Sequence, residues 1–135
     1  MNTNGTKDIR GFLLYVCPAL LCCLAIFYLG TIRTPIIIPQ ELWSKDKLNH
    51  CLAFGVLAFL TERAIRFQFA GARALRVTAM SVAISSVTGA LLEAWQSLLP
   101  YRTAELLDWV ADTLGAVLAG LVGLVWMNWQ RRRGA

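Results

Sequence analysis

The side chains able to do chemistry in this chain fall into three short groups: Asp46, Lys47 and His50; Glu93 and Gln96; Arg102, Asp108 and Asp112. Asp46 and His50 are four residues apart, as are Asp108 and Asp112, and Glu93 and Gln96 are three apart. On a helix each of these pairs shares a face. The single imidazole, His50, then has three open uses. It can fix helix register through an interhelical hydrogen bond to Asp112, Glu93 or Gln96. It can act with Glu93 as a catalytic acid and base, oriented by Asp46 or another carboxylate. With Glu93, Asp108 and Asp112 it also offers nitrogen and oxygen ligands to a metal. No residue is assigned as a metal ligand on these grounds, and the cofactor is unknown. Arg102 and Lys47 either neutralise the neighbouring acids or grip a phosphate or carboxylate. No serine or cysteine stands in a recognisable nucleophile arrangement: Ser97 has no known partners and Cys51 only neighbours His50 in sequence.

These groups must be positioned by elements, and composition says in which solvent. Hydrophobic residues make up 57% of the chain and charged residues 16%, and the mean hydropathy is +0.56. A soluble domain holds about 45–50% apolar and about 25% charged residues. The bilayer is the better solvent. The apolar pattern predicts an all-α membrane protein, one domain over residues 1–135, with four spanning helices near 11–29, 46–66, 75–98 and 106–130. The first run, Gly11–Leu29, is long enough to cross about 30 Å of hydrocarbon. Lys7 and Arg10 precede it as in a signal peptide, but no small-x-small site follows, so it is expected to stay as a helix.

The other three crossings are impure. Uninterrupted apolar sequence in the second covers only Cys51–Leu60, and a crossing takes in Asn49 and His50. The third, Val77–Leu92, needs Glu93 and Gln96 for length, and the fourth carries Asp108 and Asp112 in its first turns. Stripes of small residues run beside these groups: Ser81, Ser85 and Gly89 before Glu93; Ala116 and Gly120 after Asp112; and Ala111, Gly115, Ala119 and Gly123. Small residues at this spacing let membrane helices approach closely, which sets the carboxylates on packed faces. The last stripe is open to either an internal or a homo-oligomeric contact.

Basic residues in the short flanks give an orientation. Lys7, Arg10, Arg63, Arg66, Arg73, Arg76 and Arg131–Arg133 lie on one side, and Arg33, Lys45, Lys47 and Arg102 on the other. The excess places both termini in the cytoplasm and sends Glu41, Asp46, Glu93, Glu105, Asp108 and Asp112 outward. Basic residues that flank apolar segments, and form no stripe on a soluble face, argue against nucleic acid. Cys17, Cys22, Cys23 and Cys51 sit in apolar runs and read as small hydrophobic fillers. The apolar run Ile36–Ile38 before Pro39 is expected either to cap the bundle or to lie on the membrane surface beside the polar cluster.

Asp46-Lys47-x-x-His50-x-x-x-Phe54, Glu93-x-x-Gln96, Pro100-x-Arg102 and Asp108-x-x-Ala111-Asp112-x-x-Gly115 together resemble the VanZ family of bacterial membrane proteins. Order and spacing are similar from about Trp43 to Gly120, and the first helix only as an apolar segment. The family commonly carries Asn where this chain has Asp112. The resemblance implies a four-helix protein of the bacterial inner membrane, related to a founding member linked to low-level teicoplanin resistance. The expected function is binding of a cell-envelope lipid, a lipid-linked cell-wall precursor or a lipophilic antibiotic, through Asp46, Lys47, Gln96, Arg102, Asp108 and Asp112. Two alternatives stand beside it: a membrane-embedded hydrolase or transferase using His50 and Glu93, and a scaffold for a membrane partner.

Overall fold

The computed structural model describes residues 9–32 and 43–133, without the side chains of 43–46 and 131. Four helices make up the fold: α1 (Ile9–Thr31), α2 (Trp43–Gln68), α3 (Ala74–Gln96) and α4 (Leu106–Arg133). All four are long and apolar enough to cross a membrane, and no strand occurs among the described residues. The Ile36–Pro39 segment lies outside the described residues.

Local chemistry explains the irregular points. Pro18 brings no N–H to α1, and the stretch before it, Phe12–Val16, is π-helical, with Cys17 N–H bonded to Phe12 O. α3 stops at Gln96, two residues short of the expected 98. There Leu98 and Leu99 donate to carbonyls only three residues back, tightening the chain ahead of Pro100. α2 begins at Trp43, three residues before the expected 46.

Burial is inverted relative to a water-soluble bundle. Thr61, Glu62, Thr78, Ser81, Ser85, Glu93, Gln96, Asp108 and Asp112 are buried, while every helix exposes several large apolar side chains, among them Leu24, Leu52, Leu91 and Leu118. An apolar exterior of this extent suits hydrocarbon, not water. The polar interior then keeps its groups out of lipid.

α4 is the central element. It runs parallel to α2, since Gly115 meets the Cys51 carbonyl near one end and Gly123 meets Glu62 near the other. It runs antiparallel to α3, with Asp112 against Gly89 and Gly120 against Thr78. The two small-residue stripes of α4 therefore serve different neighbours. Ala119 and Gly115 approach Gly55 of α2, whereas Asp112 and Gly120 face α3. Both stripes are spent inside the chain. At Gly115 any Cβ would collide with the backbone of Cys51, so only glycine permits the approach.

α1 is peripheral. Its partly buried Cys22, Cys23, Ile26 and Phe27 pack on the apolar core of Phe54, Leu57 and Leu92, and the cysteines are free. At its other end Tyr15 stacks on Phe67 of α2 at 5.2 Å. The apolar core is small and one-sided, and the α2–α3–α4 seam is polar along its length.

Candidate functional site

The site begins with the first turn of α4. Its exposed N–H groups carry the positive end of the helix dipole, and the chain just before it is held by Glu93: the Glu105 N–H donates to Glu93 Oε2 at 2.8 Å. Glu93 is placed there by the stripe Ser81–Ser85–Gly89, which is buried throughout and brings α3 close against α4. The carboxylate thus clamps the end of one helix to the start of another. Its second oxygen, Oε1, is buried with no hydrogen-bond partner among the described residues.

Lys47 of α2 reaches the same turn. Its ammonium pairs with Asp108 Oδ1 at 2.6 Å and Glu105 Oε2 at 3.1 Å. One turn deeper on each helix, His50 Nδ1 donates to Asp112 Oδ1 at 2.9 Å. Asp112 is fully buried, and its Oδ2 has no hydrogen-bond partner among the described residues. That oxygen lies where a side chain on residue 89 would be, 2.7 Å from the position of a Gly89 Cβ. Gly89 is therefore the residue that makes room for the carboxylate.

One donor atom each from His50, Glu93 and Asp112 lies within 4.8 Å of the others. All three helices of the seam contribute one member. These three are the residues that could hold a metal among those described. The fourth member of the sequence-derived ligand set, Asp108, is drawn toward Lys47 instead. Beside the cluster is an open cavity of about 370 Å³ lined by Ala90, Glu93, Ala104, Glu105, Leu106 and Trp109. Trp109 is fixed by its indole N–H bonding to Ser86 O at 3.0 Å. Glu93 belongs to both the cluster and the cavity wall.

The remaining sequence-derived residues go elsewhere. Gln96 Nε2 donates to Gly30 O at 3.2 Å, and Arg102 donates to Ile32 O at 3.0 Å. Tyr101 OH donates to Thr31 O at 3.0 Å. All three serve the carbonyls at the end of α1, the negative end of its dipole. Arg102 is thus engaged on backbone oxygens, neither paired with Glu93 or Asp108 nor presented to the cavity. The Asp46 side chain lies outside the described residues. Ser97 Oγ bonds back to Ala94 O at 2.7 Å and plays no part in the cluster.

Sequence reasoning missed one participant in the site and one buried acid outside it. Glu105 was placed among the acids at this end but given no role; its position directly before α4 was the available signal. Glu62 was overlooked. It is buried at the opposite end of the seam, bonded to Arg66 at 2.9 Å and pressed on Gly123. The spacing of Glu62 and Arg66, four apart, was visible, and Gly123 closed the Ala111 stripe.

Compared with protein-family models, curated proteins and solved structures, the chain matches none of them.

Proposed function

We propose that this chain is a VanZ-like protein of the bacterial inner membrane, both termini cytoplasmic, whose His50 end faces outward and binds the headgroup of an envelope lipid, a lipid-linked cell-wall precursor or a lipophilic antibiotic. The observation that carries the reading is the open cavity lined by Glu93, whose Oε1 is buried and has no hydrogen-bond partner among the described residues. The motif groups Lys47, His50, Glu93, Asp108 and Asp112 come together from three helices beside it, and Glu93 alone of them also lines the cavity.

Energetics favour a working site over a purely structural one. A charge well inside a membrane costs about 2.5–3.5 kcal/mol on insertion scales. An interhelical hydrogen bond in a membrane protein returns about 0.6 kcal/mol and at most about 1.7. Register alone could be fixed more cheaply by a serine or asparagine.

The site's polarity narrows the ligand. Glu93, Glu105, Asp108 and Asp112 outnumber the cationic Lys47 and the titratable His50 among the described side chains of the cluster. Unpaired carboxylate oxygens accept hydrogen bonds, so they suit hydroxyls of a sugar or an ammonium group. A bare phosphate would meet like charge, and Arg102 is committed to α1.

A second reading is favoured by the His50–Asp112 bond. A carboxylate on Nδ1 orients an imidazole as a general base, as in a membrane-embedded hydrolase or transferase. One experiment separates the two. Purified protein is given radiolabelled polyprenyl-linked sugars and phospholipids, with His50→Ala and Glu93→Gln in parallel. Stoichiometric retention without product, lost in both variants, supports binding; product formation lost in both supports the enzyme. Absence of both retention and product in the wild type removes the reading.

A further inference from the structure

We propose that His50, Glu93 and Asp112 form a binding site for one divalent first-row transition-metal ion of the manganese-to-zinc class. Proximity alone does not carry this. The independent observation is that Glu93 Oε1 and Asp112 Oδ2 are buried carboxylate oxygens without hydrogen-bond partners among the described residues, on residues 8% and 0% exposed. A buried carboxylate oxygen kept from both water and hydrogen bonds is costly until it takes up a proton or meets a cation, and three ligand groups around one point favour a shared cation. Lys47, the nearby ammonium, is bonded to Glu105 and Asp108.

The geometry is close to what a metal requires. Metal–nitrogen and metal–oxygen bonds of about 2.1 Å set neighbouring ligand atoms about 3 Å apart in an octahedron and slightly further in a tetrahedron. His50 Nδ1 and Asp112 Oδ1, at 2.9 Å, already form such an edge. The full set lies within 4.8 Å, so closure needs roughly 1–2 Å of movement, which a glutamate side chain supplies by rotation. When the ion binds at Nδ1, an imidazolium His50 gives its Nδ1 proton to solvent and becomes neutral with its other proton kept on Nε2, so one ion is taken up and one proton released. A His50 already neutral moves its proton from Nδ1 to Nε2 through solvent with no net release.

Ligand softness selects the ion. One imidazole with two carboxylates suits manganese, iron, cobalt or zinc better than magnesium or calcium, which prefer oxygen alone. Three protein ligands leave at least one position open, the arrangement of sites that act on a further molecule. Because Glu93 also walls the cavity, an ion here would cancel the charge of its two carboxylate ligands and offer its open position to a phosphate or pyrophosphate oxygen that the carboxylates alone repel. The ion site shares side chains with the lipid reading but does not rest on it.

The test uses full-length protein in nanodiscs of zwitterionic lipid, stripped with chelator and then offered Mn2+, Co2+ or Zn2+ separately before desalting. Elemental analysis should find about one ion per chain for at least one metal, in the wild type and in Glu62→Gln, whose carboxylate lies at the far end of the seam. Retention should fall at least roughly tenfold in Glu93→Gln and Asp112→Asn. Co2+ should give a visible absorption band of nitrogen–oxygen ligation in the wild type. The same ion should raise the wild-type unfolding temperature, and chelator should reverse the rise. The proposal is overturned if wild-type protein retains none of the three ions, a result independent of how any variant folds. Undiminished retention in correctly folded Glu93→Gln and Asp112→Asn overturns it equally. Retention with no lipid binding leaves this site standing and removes the lipid reading.

Discussion

Asp112 shows how much one side chain is asked to do. It lies about 9 Å along the axis from the start of α4, is fully buried, and holds His50 through only one of its two oxygens. An asparagine there keeps the shape and an acceptor for His50. Asp112→Asn should therefore change unfolding free energy by less than about 1 kcal/mol, whereas Asp112→Leu should lose the bond and cost about 1–2 kcal/mol. Reversible unfolding in mixed micelles measures both. Gly89→Ala attacks the same oxygen from the other side, since the added methyl would fall 2.7 Å from Asp112 Oδ2. It should shift the His50 ring resonances in NMR spectra as strongly as Asp112→Asn does. Unchanged His50 signals would mean that α3 does not confine the carboxylate.

Between elements, backbone approach matters more than side-chain bulk. α2 and α4 meet at Gly55 and Gly115, and a Cβ on Gly115 would strike the Cys51 carbonyl region. Gly115→Ala should cost about 1–3 kcal/mol through overpacking, seen as a lower unfolding temperature in micelles. Leu118→Ala, on the exposed face of the same helix, should stay within about 0.5 kcal/mol. The α1 contact is of another kind. Arg102, Gln96 and Tyr101 serve the carbonyls at its end, so the last residue of α3 and the loop after it act as a cap for a helix that otherwise touches the bundle on one side. Arg102→Ala should destabilise by about 1 kcal/mol and speed amide exchange in the last turn of α1. His50 and Asp112 should be unaffected. Slower exchange, or a displaced His50 resonance, would argue that Arg102 belongs to the site.

At the scale of the molecule, the polar seam runs from Lys47 and Glu93 at one end to Glu62 and Arg66 at the other. Which end faces outward is tested by labelling. In a background without the four native cysteines, a cysteine at exposed Thr103 should react with an impermeant thiol reagent in intact cells. One at Ala72, in the turn between α2 and α3, should react only after lysis. The opposite pattern would put the cavity in the cytoplasm and end the envelope-lipid reading.

Four helices and their approximate limits were legible in the residues because hydrocarbon imposes one rule on every segment: about 20 apolar residues and no unsatisfied backbone. The small-residue stripes were legible for the same reason, as spacing on a helix is fixed. Partnership was not. Asp112, Glu93 and Gln96 were equal choices for His50, and the structure pairs His50 with Asp112 because α2 and α4 lie parallel with Gly55 against Gly115, bringing both second turns level. Arg102 and Gln96 looked like members of the same site, yet they turn to α1, whose terminal carbonyls need donors that apolar sequence cannot reveal. Sequence determines which groups each helix carries and on which face. Only the register between helices decides which of those groups meet.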